Sequence, residues 1–400
     1  MEERIGELRN HYVPKFILKN FVSDGDSGVS CFNPKTGEFL HNRTPESIYY
    51  EVGIYTNELE RKFNDKIECA FSQMLRKLLN RDCISLRRKD LWMIKRFLLI
   101  ETLRTPETLS YVKKFRKIMK KCAAYSPEYS RLMYGKHIDD IESKETDTEY
   151  WLRTLDFVLE EEEFTTDAVD RNEKGTALAH YWTLAFTAGY IGFWDSPGTD
   201  EFIITDVGFT SETELGWTEE CSQVPTKIKM ITDLIEKVRN KDPDLDLNLI
   251  MLLRWMSAFG ENIYMFPISS KRMIVLINPF FKFVINNAWM FPWNTLDVIT
   301  AIPDKRLFNP NESSCNMIGE HKEDDIYTYL PVELHPDQVL YCNALFLDRV
   351  ENWVGFGSMK KMKRSVLNYK ENNRHCRNDY TILLDILRKS KSGIPRMKID

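Results

Sequence analysis

Hydrophobic positions along the chain recur at two spacings, and each spacing predicts a different kind of element. Steps of three and four residues predict helices, while short apolar or alternating runs predict strands. Helices are predicted after an N-cap at Thr56 and at 88–104, 107–125, 150–159, 176–190, 226–240, 247–259, 336–350 and 380–388. Strands are predicted as a hairpin of VSCFN and EFLHN and at 201–206, 262–266, 272–277 and 326–330. This mixture predicts an α+β fold that is mostly helical, with a small mixed or antiparallel sheet.

The charge balance limits how the chain could meet nucleic acid. The net charge is −5 over 400 residues, so a protein that coats a nucleic-acid backbone nonspecifically is disfavoured. The net charge does not exclude an enzyme that binds nucleic acid through one local basic patch. Aromatic residues make up 12% of the chain, which is consistent with a bulky core or with a stacking pocket.

Cysteines and apolar stretches bear on the compartment. The eight cysteines form no CxxC pair and no zinc spacing with histidine, which is typical of reduced thiols. The N-terminus lacks the apolar segment of a secretory signal, and no apolar stretch reaches the ~20 residues that span a bilayer. We therefore expect a cytoplasmic protein with no membrane span.

Several common catalytic motifs are absent from the sequence. There is no GxxxxGK[ST], no GxGxxG after a strand, no HExxH, no GxSxG and no zinc-deaminase set. P-loop hydrolysis, Rossmann cofactor use and α/β-hydrolase chemistry are therefore disfavoured.

The helix predicted at 107–125 carries a basic face. This face is either the solvated side of an amphipathic helix or a local contact surface for nucleic acid. Its candidate nucleic-acid-binding residues are Lys113, Lys114, Lys117, Lys120 and Lys121.

Five polar residues are hard to explain as ordinary surface. His11 opens the first apolar segment, where it is a general acid/base, a metal ligand, or a histidine bonded to a nearby backbone carbonyl. Glu60 and Glu68 lie eight residues apart on one helix, where they either bind a divalent cation or are simply solvated. Arg104 ends an apolar helix, so it either grips an anion or pairs with the acid three residues earlier. Asp206 ends a predicted strand, where it either faces a site or begins a turn.

Short motifs along most of the chain carry a family resemblance. The opening HYVPKFILKNF is similar to the start of a bacterial family catalogued as domain of unknown function 4238, with His-Tyr-Val-Pro and then Leu-x-x-Phe. FLLIETLRTP resembles the family's Gln-x-x-Arg-Thr-Pro stretch, with Glu101 standing where the family usually has Gln. The segment with Glu60 and Glu68, EFIITDVGF with Asp206, YMFPISSKRMIVL, and the late helix with Asn343 also resemble family segments in order.

The resemblance implies an organisation and a set of candidate roles. We expect residues 1–358 to form one α+β domain and residues 359–400 to form a basic helical tail. The recurring polar positions make His11, Glu60, Glu68, Arg104 and Asp206 the candidate catalytic set. The acids would hold Mg²⁺ or Mn²⁺, the histidine would move a proton and the arginine would stabilise phosphate charge.

Two functions are consistent with these residues. The first is a phage-defence effector that acts as a metal-dependent nuclease or nucleotide hydrolase, with nucleic acid or a nucleotide as its partner. The alternative is a non-enzymatic sensor that binds a phage or host protein, in which the polar residues are structural. The enzyme requires the five side chains to converge on one pocket. The sensor requires Arg104 and His11 to be bonded internally. The oligomeric state is left open.

Overall fold

The structure is a computed structural model, and it describes residues 9–212, 263–277 and 326–389, apart from 24, 80–81, 126, 139–143 and 373–376. The helices predicted at 226–240 and 247–259 lie outside these residues. So do the first eight residues and the last eleven.

Helices make up most of the first half of the chain and the end of the second half. The helices are α1 (Lys15–Leu18), α2 (Asn57–Phe63), α3 (Cys69–Leu79), α4 (Arg88–Leu103), α5 (Pro106–Tyr125), α6 (Pro127–Tyr134), α7 (Asp147–Glu160), α8 (Thr166–Arg171), α9 (Ala177–Ala188), α10 (Pro336–Arg349), α11 (Met359–Asn372) and α12 (Thr381–Lys389). Short 3₁₀ turns lie at Lys19–Phe21 and Pro45–Ser47, and one π-helical turn, Asn64–Glu68, joins α2 to α3.

The strands are short and belong to several small sheets. They are β1 (Arg9–His11), β2 (Val29–Phe32), β3 (Phe39–Arg43), β4 (Tyr50–Val52), β5 (Ile84–Arg87), β6 (Tyr190–Asp195), β7 (Ile204–Thr205), β8 (Thr210–Glu212), β9 (Ile263–Pro267), β10 (Arg272–Ile277), β11 (Ile326–Tyr329), β12 (Val332–Glu333) and β13 (Val354–Phe356). The largest described sheet has the order β12-β6-β10-β9-β8, and a second has the order β3-β2-β13-β7. β1 pairs with β4 and β5 with β11. The α+β prediction is confirmed.

Threonine caps explain where several helices begin. The hydroxyl of Thr56 accepts a hydrogen bond from the backbone of Leu59, which confirms the predicted N-cap. Thr146 and Thr176 cap α7 and α9 in the same way. Each of these hydroxyls satisfies a backbone N–H that would otherwise have no partner in the first helical turn.

Two apolar clusters form the core. The first packs α1 to α5, α7 and α9 together with the N-terminal segment. The second packs the large sheet against α10, β13, α11 and α12, and it buries Tyr369 and Tyr380 completely. The two helices that follow residue 358 therefore share a core with the region before them.

Two predicted segments differ from the structure. The predicted strand 201–206 is a strand only at Ile204–Thr205. The backbone N–H groups before it bond elsewhere: that of Phe202 donates to the carbonyl of Ser270, and that of Ile203 donates to the side chain of Asn343. The helix predicted to reach residue 190 ends at Ala188. A strand, β6, begins at Tyr190 and pairs with β10 in antiparallel register.

Asn343 joins α10 to the segment that leads into β7 and to α11 inside the second core. Its side-chain oxygen accepts from the N–H of Ile203 at 3.2 Å. Its amide nitrogen donates to the carbonyl of Glu201 at 2.8 Å and to the hydroxyl of Ser365 at 2.9 Å. The side chain is fully buried, so these bonds compensate polar groups that water cannot reach.

Two observations concern the cysteines and the length of the helices. Cys31, Cys69 and Cys83 form no disulfide bond. Within the described ranges, no helix has the length and apolar character needed to cross a membrane.

We expect Asn343→Leu to destabilise the fold by about 3 kcal/mol or more, because three buried polar partners lose their hydrogen bonds. Urea unfolding measures the change. The matched control, Asn57→Leu, alters an exposed asparagine and should change stability by less than about 1 kcal/mol. Equal losses in the two variants would contradict the role assigned to Asn343.

Candidate functional site

The guanidinium of Arg104 lies at the centre of a buried polar cluster. Arg104 is the C-cap of α4 and is 1% exposed. Nη1 donates to Glu68 at 2.6 Å and to Glu101 at 2.9 Å, and Nη2 donates to the carbonyl oxygen of His11. The guanidinium also lies 4.6 Å from the centre of the Phe63 ring. Arg104 thereby ties β1, the π-helical turn and α4 together.

A second set of bonds extends this cluster to Glu60. The amide of Asn10 donates to Glu60 at 3.2 Å, and its oxygen accepts from the N–H of Tyr55 at 3.1 Å. Asn10 is fully buried, whereas Glu60 is half-buried and therefore partly reaches solvent. We call Asn10, Glu60, Glu68, Glu101 and Arg104 the Arg104 cluster.

The protonation of the cluster follows from its burial. Burial raises the pKa of Glu101 to about 8, against the opposing charge of Arg104. Burial likewise raises the pKa of Glu60. Burial acts to lower the pKa of Arg104, but the carboxylates of Glu101 and Glu68 raise it overall. Glu68 and Glu101 therefore both contact one permanent cation, and burial shifts the pKa of Glu101 towards neutrality.

The histidine side chain points away from this cluster. Only the backbone carbonyl of His11 meets Arg104, while its ring lies 5.6 Å from the ring of Tyr50. Its Nε2 is buried and has no hydrogen-bond partner among the described residues. Burial, followed by the charge of Lys15, lowers the pKa of His11.

A cavity of about 600 Å³ lies beside the Arg104 cluster. It is bounded by the end of β1, by β4, by the turn from α4 into α5, by the end of β7 and by the turn after α10. Tyr12 and Thr105 directly follow His11 and Arg104, so the cluster holds the backbone of two segments of the wall. The lining residues are Tyr12, Glu51, Thr105, Glu107, Ser110, Lys114, Asp206, Val207, Glu351, Asn352 and Arg377. We call this space the Asp206 cavity.

The carboxylate of Asp206 is fixed in the cavity wall by backbone donors. The N–H groups of Glu351 and Asn352 donate to its two oxygens at 3.1 and 2.5 Å. The N–H of Asp206 donates to the carbonyl of Trp353 at 2.9 Å. Burial raises the pKa of Asp206 to about 7, although these N–H groups oppose the shift. Asp206 therefore exchanges a proton near neutral pH.

One edge of α5 connects the cavity to the predicted basic face. Glu107, Ser110 and Lys114 follow one another at helical spacing and line the cavity. Lys113, Lys114, Lys117 and Lys120 are exposed, as predicted. The side chain of Lys121 lies outside the described part of the structure.

The structure thus brings Glu60, Glu68 and Arg104 into one cluster, adds only the backbone of His11, and puts Asp206 in the adjoining cavity. Within the described residues, no group of three or more His, Cys, Asp or Glu side chains is arranged to hold a metal ion. Of the five side chains, only that of Asp206 lines the cavity, so they do not converge on this pocket. Mg²⁺ or Mn²⁺ as a cofactor, and the catalytic role of the five residues, stay predictions.

A family model described as "Protein of unknown function (DUF4238)" matches residues 9–358. The chain belongs to the DUF4238 family. The match includes the Arg104 cluster and every residue of the cavity wall except Arg377. No curated protein and no solved structure matched the chain.

Sequence reasoning missed most of the cavity wall. Tyr12 and Thr105 stand inside the DUF4238 motifs, next to residues that were selected, so the motifs themselves could have indicated them. Glu51 and Arg377 lie far from any motif, and only the fold brings them to the cavity.

Glu101→Gln tests the protonation of the cluster, because it removes the ionisable group while keeping a side chain of nearly the same size. A carboxyl whose pKa is about 8 when folded and near 4.5 when unfolded stabilises the fold fully below pH 4.5. That contribution is lost as pH rises to about 8. We expect wild type to lose stability relative to the variant over this range, by at most about 1.4 kcal/mol per pH unit. Thermal unfolding from pH 5 to 9 measures it.

The matched control for this series is Glu163→Gln, which changes an exposed glutamate with a side chain that is 62% exposed. Its stability should follow wild type at every pH. If the Glu101→Gln curve also stayed parallel to wild type, Glu101 would not be the proton-holding acid.

Proposed function

We propose that this DUF4238 protein is a phosphoester hydrolase, either a nuclease or a nucleotide hydrolase, that acts in the Asp206 cavity. The observation that carries the proposal is a buried carboxyl, with a pKa near 7, in the wall of a cavity that also contains cationic side chains. Titratable groups shifted toward neutrality in a cavity are typical of catalytic sites.

The size and lining of the cavity support a ligand of nucleotide size. Small-molecule sites in proteins measure about 300–1,000 Å³, and this cavity, at about 600 Å³, falls in the middle of that range. Its wall offers the exposed hydroxyl of Ser110 as a hydrogen-bond partner.

Asp206 is the proposed general base. A carboxylate has about four acceptor positions, and the N–H groups of Glu351 and Asn352 occupy two of them. The others are available to a water molecule. Asp206 would take a proton from that water as its oxygen bonds to phosphorus; the P–O bond to the leaving group would break, and the leaving oxygen would take a proton from solvent. Proton transfer is most effective when the pKa of the base lies near the working pH.

Lys114 and Arg377 are the proposed groups that bind phosphate. Lys114 is exposed at the cavity edge, and the described residues provide no ion pair for it. Arg377 also lines the cavity, although its Nη2 already donates to Glu351 at 2.8 Å. Fixed cations stabilise the negative charge that develops on a phosphoryl group, so the scissile phosphate would lie nearest Lys114.

The Arg104 cluster is proposed to position the wall rather than to react. The guanidinium of Arg104 donates to Glu68, Glu101 and the carbonyl of His11. Loss of these bonds would release the backbone on which Tyr12 and Thr105 stand. A change in the cluster should therefore alter substrate binding and stability together.

A second function, a non-enzymatic sensor, is favoured by those same internal bonds. The sensor reading requires the polar residues to hold the fold, and Arg104 does so in the structure. The Asp206 cavity would then bind a ligand without turning it over. For either function, the role in phage defence is a proposal that rests on family membership.

Asp206→Asn tests the hydrolase. We expect the variant to lose about 100-fold or more in kcat/KM, the usual contribution of a general base. In wild type, kcat/KM should rise with pH through about 7, because the base must be ionised to accept a proton. Hydrolysis of oligonucleotides and nucleotides is measured with Mg²⁺, with Mn²⁺ and with a chelator.

Two further variants keep this test interpretable. Asp385→Asn changes an exposed aspartate with a side chain that is 56% exposed, and it should keep full activity. Lys114→Gln breaks no described hydrogen bond and should raise KM without lowering the melting temperature. An absence of hydrolysis in wild type under all three metal conditions, with ligand binding retained, would favour the sensor.

A further inference from the structure

The exposed lysines of α5 form a continuous stripe with a single sign of charge. We call Lys113, Lys114, Lys117 and Lys120 the lysine stripe. At about 100° per residue they fall within an arc of roughly 120° on the helix. Along the axis they extend over about 11 Å at 1.5 Å per residue. In the described part of the chain none of the four forms a salt bridge.

The rest of the helix does not balance this charge. Between residues 106 and 125 the only acid is Glu107, at the N-terminal end, and it lies 3.6 Å from Arg349. Arg116, the arginine of this helix, is buried and donates a hydrogen bond to Asp147 at 2.7 Å. Solvated helix faces usually mix both signs at i, i+4 spacing, whereas this one is purely basic in a chain whose net charge is −5.

The lysine stripe ends at the Asp206 cavity. Lys114 belongs to both, since it is a stripe residue that also lines the cavity. A strand whose phosphates follow the stripe would therefore arrive at the cavity mouth. At about 3.4 Å per stacked nucleotide, the 11 Å stripe covers about three steps of one strand.

The interior of the cavity is better suited to a nucleobase, whereas the scissile phosphate would remain at the cavity edge beside Lys114. The cavity wall contains the carboxyl groups of Glu51, Glu107, Asp206 and Glu351, which would repel a phosphate placed deep inside. Carboxylates do accept hydrogen bonds from the amino groups of bases. The wall also contains the exposed hydroxyl of Ser110, which can donate or accept a hydrogen bond at a base edge.

We propose that the substrate is a single-stranded nucleic acid whose phosphates lie along the lysine stripe and one of whose bases enters the Asp206 cavity. A base in a duplex is paired and stacked, so it is not free to enter. The inference rests on the proposed function for its reaction, but the binding can be tested without turnover.

The test is the binding of fluorescent 12-nucleotide DNA and RNA strands to the full-length protein, measured by anisotropy over a range of salt concentrations. The test variant combines Lys113→Gln, Lys117→Gln and Lys120→Gln, which leaves the cavity wall intact. It should bind at least 10-fold more weakly than wild type. Its salt dependence should be shallower by about two, since each lost phosphate contact removes about 0.7 from the slope for a single strand.

The matched control removes three other exposed lysines, by Lys77→Gln, Lys174→Gln and Lys360→Gln. It makes the same change in net charge and should bind as wild type does. Equal weakening in both triple variants would mean that net charge alone attracts the strand, and this would overturn the inference. Unchanged binding in the stripe variant would overturn it as well.

Two competitor strands test the base in the cavity. A duplex of the same sequence and an abasic strand of the same length should each bind with at least about fivefold lower affinity than the intact single strand. Equal affinity for duplex and single strand would overturn the proposed substrate class, and equal affinity for the abasic strand would overturn base entry.

Hydrolysis is followed separately, so that the two proposals fail in different ways. If the single strand binds through the stripe but is not cleaved, the hydrolase fails and the binding inference stands. If free nucleotides are cleaved as efficiently as strands and the stripe variant is fully active, the hydrolase stands and the strand inference fails.

Discussion

The burial of one permanent cation governs the architecture around the Asp206 cavity. A guanidinium at the interior end of α4 cannot lose its charge, so the fold must surround it with acceptors. Two carboxylates and a backbone carbonyl do so, and they come from three separate elements. The position of Arg104 therefore fixes where β1 ends and how the π-helical turn meets α4. The backbone on which Tyr12 and Thr105 stand is fixed with it.

A similar principle operates on the other side of the cavity. Asp206 and Asn343 each bind backbone groups of a distant segment, and each is at least 96% buried. Buried polar side chains that are bonded to backbone specify one arrangement of neighbouring segments more strictly than apolar packing does. The cavity thus lies between two rigid polar supports. That rigidity suits both a preorganised active site and a selective binding site.

Local sequence patterns predicted the elements that are governed by local forces. The cap at Thr56 and the helix ending at Arg104 depend on spacing and hydrogen bonds within a few residues, and the structure confirms both. Strand β6 was missed because its apolar residues follow α9 without a change in hydrophobicity. It becomes a strand through pairing with β10, about 80 residues later, and with β12, later still.

The candidate site was predictable in its residues but not in its roles. The sequence could not decide whether Arg104 binds an external anion or forms an internal ion pair. That choice depends on whether the carboxylate of Glu68, from a separate element, contacts the guanidinium. His11 was selected for its ring, yet its carbonyl makes the contact. Arg377 comes to the cavity from beyond the family match, which no local pattern could indicate.

The π-helical turn has a consequence for how sequences of this family should be aligned. In a regular α-helix, residues eight apart differ by about 80° around the axis, whereas residues seven apart differ by only about 20°. A π turn accommodates one extra residue, so Glu60, in the α-helix before the turn, and Glu68, its last residue, lie on nearly the same face. A relative whose two glutamates are seven residues apart would place them on one face of an uninterrupted α-helix. A one-residue gap in the alignment at 64–68 would then preserve the site rather than disrupt it.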